Sequence, residues 1–201
     1  MACGVERHHH PRDYPYRMAE PLVVAFVTGV TPTKWERIWR ERRPPGRIHL
    51  ESMTQDAALA ALADGTAHMA LLRDLAADDE RHAIALYREQ PVAVVPKESL
   101  AADASSLTLA ELRELDGLPV LDVDLIVGTG AETIELVAAN VGVAVVPQSV
   151  ARQHGRKDVV ARPVTDAPDT GVALVWPTTN AHPLVDVFIG IVRGRTANSS
   201  R

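Results

Sequence analysis

Hydrophobic and polar positions follow two periods in turn along the first part of the chain. Leu22 to Val27 is a nearly continuous apolar run, which suits a strand buried on both faces, as in a parallel sheet. Thr28-Gly29-Val30-Thr31-Pro32 then turns the chain, with Pro32 placed for the first position of a helix and Thr31 for its cap. Trp35, Ile38, Trp39 and Arg42 follow at helical spacing until Pro44-Pro45-Gly46 ends the run. Residues 47–53 alternate, Ile48 and Leu50 against Arg47, His49 and Glu51, which predicts a strand with one more polar face. Thr54 opens a second helix carrying Ala58, Leu59, Ala61 and Leu62, and Gly65 stands where a left-handed residue closes it. A third strand, Ala67 to Leu72, completes a β-α-β-α-β pattern, the signature of a doubly wound α/β sheet.

The pattern continues past an acidic loop, Asp78-Asp79-Glu80, with strands near Ala83 to Tyr87 and Val92 to Val95. Thr108 and Glu111 form a capping box for the next helix, with Leu107 and Leu112 as its hydrophobic staple and Gly117 at its end. Val120-Leu121 and Leu125 to Val127 read as short strands. Thr129 and Glu132 form a second capping box, for a helix running to Ala139, and Asn140 can adopt the left-handed conformation that closes it. A buried strand at Val143 to Val146 and a short helix from Ser149 follow. Strands near Val159 to Val164 and at Val172 to Trp176 come next. A last helix from Pro183 buries Leu184, Val187, Phe188 and Ile191. Residues 1–20, with His8, His9 and His10, and residues 195–201 read as polar tails.

Composition narrows the classes of function. Of the 201 residues, 46% are hydrophobic but only 4% aromatic, so the core rests on Ala, Val and Leu. The net charge of −5 gives no general attraction for phosphate backbones, so direct nucleic-acid binding is not expected. The single cysteine, Cys3, permits neither an internal disulfide nor a thiolate metal cluster. No apolar run approaches a membrane span, and the N-terminus lacks a signal peptide's apolar stretch, so a cytoplasmic location is expected.

Four stretches, in this order and spacing, resemble the effector-binding domain of LysR-type transcriptional regulators. They are Leu22–Val27 with the Thr-rich turn after it, Ala57–Leu72, Tyr87–Pro96 and Glu135–Gln148. His68 stands where the family usually has an acid, and Asn140 where it has a glycine. The resemblance covers residues 21–194 and implies an α/β, two-lobed type II periplasmic-binding-protein fold with two crossing strands. Lobe I is expected to comprise residues 21–91 and 165–194, and lobe II residues 92–164. About twenty residues precede the first strand, too few for the family's helix-turn-helix, so a stand-alone sensing domain is expected. Between Leu121 and Glu132 the family fits an additional helix and strand; the shorter segment here predicts a cleft wall missing or rebuilt.

Ligands of open α/β sheets sit beyond the carboxyl ends of the strands, against helix N-termini. Two such places carry free N–H groups and hydroxyls suited to an anion: Thr28, Gly29 and Thr31, and Gly128, Thr129 and Gly130. Each threonine is equally suited simply to cap its helix. Arg73 follows the third strand at the same sheet edge, where it can pair with a ligand carboxylate or with a neighbouring acid. Thr54 and Gln55 lead the second helix at that edge. Lys97, after the crossing strand, reads as solvated. Gly128-Thr129-Gly130 fails as a dinucleotide loop, because Thr133 takes the third glycine position and no acid follows the next strand. Asp122 and Asp124 suit a solvated turn, the histidines show no metal spacing, and no catalytic motif is present. The expectation is a non-enzymatic sensor of a small anionic effector, without cofactor or metal. It is expected to form a homodimer, or to pair with a full-length regulator, through the helices bearing Trp35, Ile38 and Trp39 or Val137 and Val141. A ligand-free protein–protein interaction module is the alternative, and an enzyme on the same fold a more distant one.

Overall fold

The structure, a computed structural model, describes residues 20–114 and 117–194; the tail assignments for residues 1–19 and 195–201 fall outside them. The β-α-β-α-β pattern is realised as β1 (Leu22–Phe26), α1 (Thr33–Arg42), β2 (Ile48–Ser52), α2 (Gln55–Asp64) and β3 (Met69–Arg73). β1 lies between β2 and β3, parallel to both. β4 (Arg81–Glu89) then leads through Gln90 alone into β5 (Pro91–Pro96), which belongs to a second sheet. There follow α3 (Leu109–Glu114), β6 (Val120–Leu121), α4 (Ala131–Ala138), β7 (Val143–Pro147), α5 (Gln148–Gln153) and β8 (Val159–Pro163). The chain returns through residues 164–169 to β9 (Thr170–Pro177) and ends on α6 (Val185–Val192). The first sheet has the order β2-β1-β3-β9-β4 and the second β6-β7-β5-β8. Each sheet with its helices is one lobe.

Each lobe has its own core. In lobe I the continuous apolar strands β1 and β3 lie between helices. Trp39 of α1 packs on Phe188 of α6 with ring centroids 6.2 Å apart, and its Nε1 donates to the Gly46 carbonyl. In lobe II, alternate residues of β5 serve opposite faces. Val92 and Val94 join Ile134, Val137 and Val150, whereas Ala93 and Val95 join Leu107, Leu112 and Val143. Because Trp39 and Val137 are buried within their own lobes, neither is available for pairing with a second chain.

Several boundaries differ from those the sequence suggests, and each has a local cause. Pro32 occupies the N-cap of α1 rather than its first turn, and no side chain caps it, so Thr31 is not a cap. Gly130, not Thr129, is the N-cap of α4; the Thr129 hydroxyl instead accepts from the Ala131 N–H at 3.3 Å. Residues 125–127 are not a strand. The Asp124 carboxylate accepts from the N–H groups of Ile126 (2.8 Å) and Val127 (3.2 Å), a turn that withdraws the donors a ladder would need. That turn leaves Val123 and Leu125 packed on the lobe II core beside Leu121. Residues 122–130 are thus a loop packed on the lobe II core. The final helix begins at Val185, two residues past Pro183.

Candidate functional site

The carboxyl ends of β1 and β3 meet lobe II at α5, and the residues that meet there are polar. Thr28 is buried, and its Oγ1 lies 3.2 Å from Nε2 of His154. Gly29 has φ +82°, a backbone that residues with a Cβ rarely adopt. A Cβ on Gly29 would also stand 2.5 Å from Ser149 Oγ and 2.9 Å from the Val150 nitrogen. Only glycine lets this loop approach α5 so closely, and its N–H donates to Oε1 of Gln153.

Arg73, the last residue of β3, lies at the centre of the junction and is 5% exposed. Its Nε donates to Oε2 of Glu89 at 3.0 Å, an ion pair in which both side chains are buried. Its Nη2 donates to Ser149 Oγ at 3.0 Å. Its Nη1 is buried and has no hydrogen-bond partner. Gln55 holds the Arg73 backbone on both sides: Oε1 accepts from its N–H at 2.9 Å and Nε2 donates to its carbonyl at 3.2 Å. Thr54 caps α2 by accepting from the Ala57 N–H at 3.3 Å. The preceding N–H of that first turn, on Asp56, donates across the lobes to the Ile126 carbonyl at 2.9 Å. Tyr87 stands beside the ion pair; burial and the Glu89 carboxylate push its phenol above the usual range, against the pull of Arg73.

Thr28, Gly29, Gln55 and Arg73 therefore belong to one network. Thr54 flanks it, and the Asp56–Ile126 bond ties the loop that leads to Gly128-Thr129-Gly130 to the same helix. A Cβ on Gly130 would stand 3.2 Å from Val150, which brings the start of α4 against α5. Thr31 stands apart. It is exposed, makes none of these bonds, and lines a groove of about 550 Å³ with His49 and Gln153. Four contributors escaped sequence reading: Glu89, Ser149, Gln153 and His154. Only Glu89 carried a signal, as a charge two residues before the apolar run of β5. Among the described residues no group of three His, Cys, Asp or Glu is placed to hold a metal ion. Nor is any helix there long and apolar enough to cross a membrane.

The LysR substrate-binding domain family matches residues 33–118 and 116–197, and the chain belongs to that family. Its structure is similar to full-length CbnR complexed with target DNA, with a TM-score of 0.65 at 18% identity over 87% of this chain and 70% of that one. The regulatory domain of an OxyR mutant from Pseudomonas aeruginosa matches with a TM-score of 0.67 at 17% identity, over 90% of this chain and all (100%) of that one. The BenM effector-binding domain with its effector benzoate matches with a TM-score of 0.66 at 17% identity, over 89% and 96% of the two chains. No curated protein matches the sequence. The fold is thus the two-lobed type II periplasmic-binding-like fold of regulatory effector-binding domains.

Proposed function

We propose that the chain senses a small anionic metabolite held between its lobes, and that it serves transcription regulation in the cytoplasm without catalysing a reaction. The observation that carries this reading is the Nη1 of Arg73, a buried donor with no partner at the lobe junction. Leaving such a donor unmet costs about 1–3 kcal/mol, and a ligand carboxylate oxygen would remove that penalty. Glu89 already balances the charge of Arg73, so the anion is held by hydrogen bonds from Nη1 and the Thr28 hydroxyl more than by net charge. The N-terminus of α4, with Gly128, Thr129 and Gly130, adds a favourable dipole.

A thermal-shift screen against small carboxylates tests the reading. A specific ligand at 100 times its Kd adds roughly 2.7 kcal/mol of stability. Thr28→Val, which keeps the side-chain shape and removes the hydroxyl, is expected to weaken it by about fivefold, in keeping with the loss of one hydrogen bond. Equal affinity in that variant would remove Thr28 from the site. A screen with no hit would favour the second reading, a ligand-free interaction module. Four direct hydrogen bonds across the junction, from Thr28, Gly29, Arg73 and Asp56, support that alternative.

Regulation on either reading runs through pairing with a second copy or with a full-length regulator. Charge supports α1 against α4. α1 carries Lys34, Arg37, Arg40 and Arg42 against two glutamates, whereas α4 carries Glu132 and Glu135 and no base. Leu136 and Val141 are exposed beside those acids. Sedimentation velocity is expected to show a dimer that weakens as salt rises; a monomer at high concentration and low salt would end this proposal.

A further inference from the structure

A cavity of about 930 Å³ opens in lobe II, lined by Pro96 and Lys97 where β5 ends. β5 leaves the crossing point at its other end, so roughly 17 Å of strand separates this cavity from the lobe junction. Its floor is apolar, from Pro96, Leu118 and Ala138. Its polar groups come from three places: Lys97 and Ser99 after β5, Asn140 after α4, and the Arg156-Lys157-Asp158 turn before β8.

Some of these groups are already engaged. Arg156 and Asp158 form a two-point ion pair, with both bonds at 2.9 Å. The N–H groups of Asn140 and Val141 cap the carbonyls of Val137 and Leu136, which reduces the negative end of α4 that faces the cavity. Others are not engaged. Ser99 occupies the cap position of a 3₁₀ turn (Leu100–Asp103) but makes no cap bond, and its hydroxyl is buried without a partner. Among the described residues, the side chains of Lys97, Lys157 and Asn140 make no hydrogen bond or ion pair. Among the described lining residues, Glu98 is the one carboxylate outside the Arg156 pair; Glu135 also acts on Arg156 from α4. The described lining residues therefore carry three bases against two acids, on a protein whose net charge is −5.

We propose that this cavity is a second ligand site, taking a small molecule with one anionic group and an apolar body. Lys97 and Lys157 hold the anion, Ser99 and Asn140 supply neutral hydrogen bonds, and Leu118 and Ala138 receive the apolar part. The site is independent of the lobe junction, so its success or failure says nothing of the sensor reading.

Phenyl phosphate and phenylacetate are suitable probes, each titrated into the labelled chain while backbone amide signals are followed. At least one is expected to shift Lys97, Ser99, Asn140 and Lys157 saturably while Gly29 and Arg73 stay in place. Binding of only one probe assigns the anion as phosphate or carboxylate. The double variant Lys97→Ala/Lys157→Ala is expected to raise Kd by about tenfold or more, as the loss of charge-assisted contacts requires. Glu98→Gln should tighten binding. Ser99→Ala should weaken it without lowering Tm, because the hydroxyl removed has no partner in the free protein. The proposal is overturned if neither probe moves the lobe II signals up to roughly 10 mM, the millimolar limit of specific recognition. It is also overturned if the double lysine variant binds as well as the original chain.

Discussion

Arg73 and Glu89 set the chemistry of the lobe junction. Both are buried and joined at 3.0 Å, and removing one partner of such a pair leaves the other charge desolvated, at a cost of roughly 3–5 kcal/mol. Arg73→Met and Glu89→Leu are each expected to destabilise the chain by that amount. The double variant replaces the pair with apolar groups of similar size and should be more stable than either single one. Urea denaturation of the four proteins makes the comparison. Additive losses would mean that the two charges do not depend on each other, and that the desolvated pair does not organise the junction.

At the scale of elements, legibility followed sequence distance. Thr108 and Glu111 stand three residues apart, and the structure forms the full capping box. Thr108 N–H donates to Glu111 Oε2 at 2.7 Å, and Glu111 N–H donates to Thr108 Oγ1 at 3.2 Å. The Thr108 N–H and then its hydroxyl, both donating to Oε2, hold the Glu111 carboxyl below its usual range. Thr54 and Gly65 bound α2 as their types require, and the apolar runs became the buried strands. The segment between β6 and α4 was misread because Leu125-Ile126-Val127 has strand composition, and only the carboxylate one residue before it decides for a turn. The site divides the same way. That Thr28, Gly29 and Arg73 lie at one sheet edge was legible, because all three sit at or just past strand ends. Ser149, Gln153 and His154 were not, because they meet residues 76 to 126 positions away. No periodicity encodes which face of a short helix in one lobe will meet a loop of the other.

At the scale of the whole molecule, the two ends of the described chain are tied together by histidines. His68 Nδ1 accepts from the Val23 N–H at 2.9 Å, where β1 begins. His182 Nδ1 accepts from the Leu184 N–H at 3.2 Å, where α6 begins, and its Nε2 lies 3.1 Å from the Glu20 carbonyl. The two rings are in tilted contact, with centroids 4.4 Å apart and planes at 47°. An accepting Nδ1 must be unprotonated, so the bond from Val23 requires the His68 imidazole to be neutral. Burial, then the neighbouring His182, holds the His68 pKa below its usual 6.5, with the Glu20 carboxylate opposing them. The sign follows from proton linkage. With the folded value lowered, the unfolded chain takes up the proton first. Stability from this contact is therefore complete above about pH 6.5 and is lost as pH falls through the lower, folded value. Thermal melts from about pH 7.5 down to 5.5 should show Tm falling on the acid side, and His68→Gln should flatten that slope while lowering Tm at neutral pH. An unchanged slope in His68→Gln would show that this contact is not the source of the acid sensitivity.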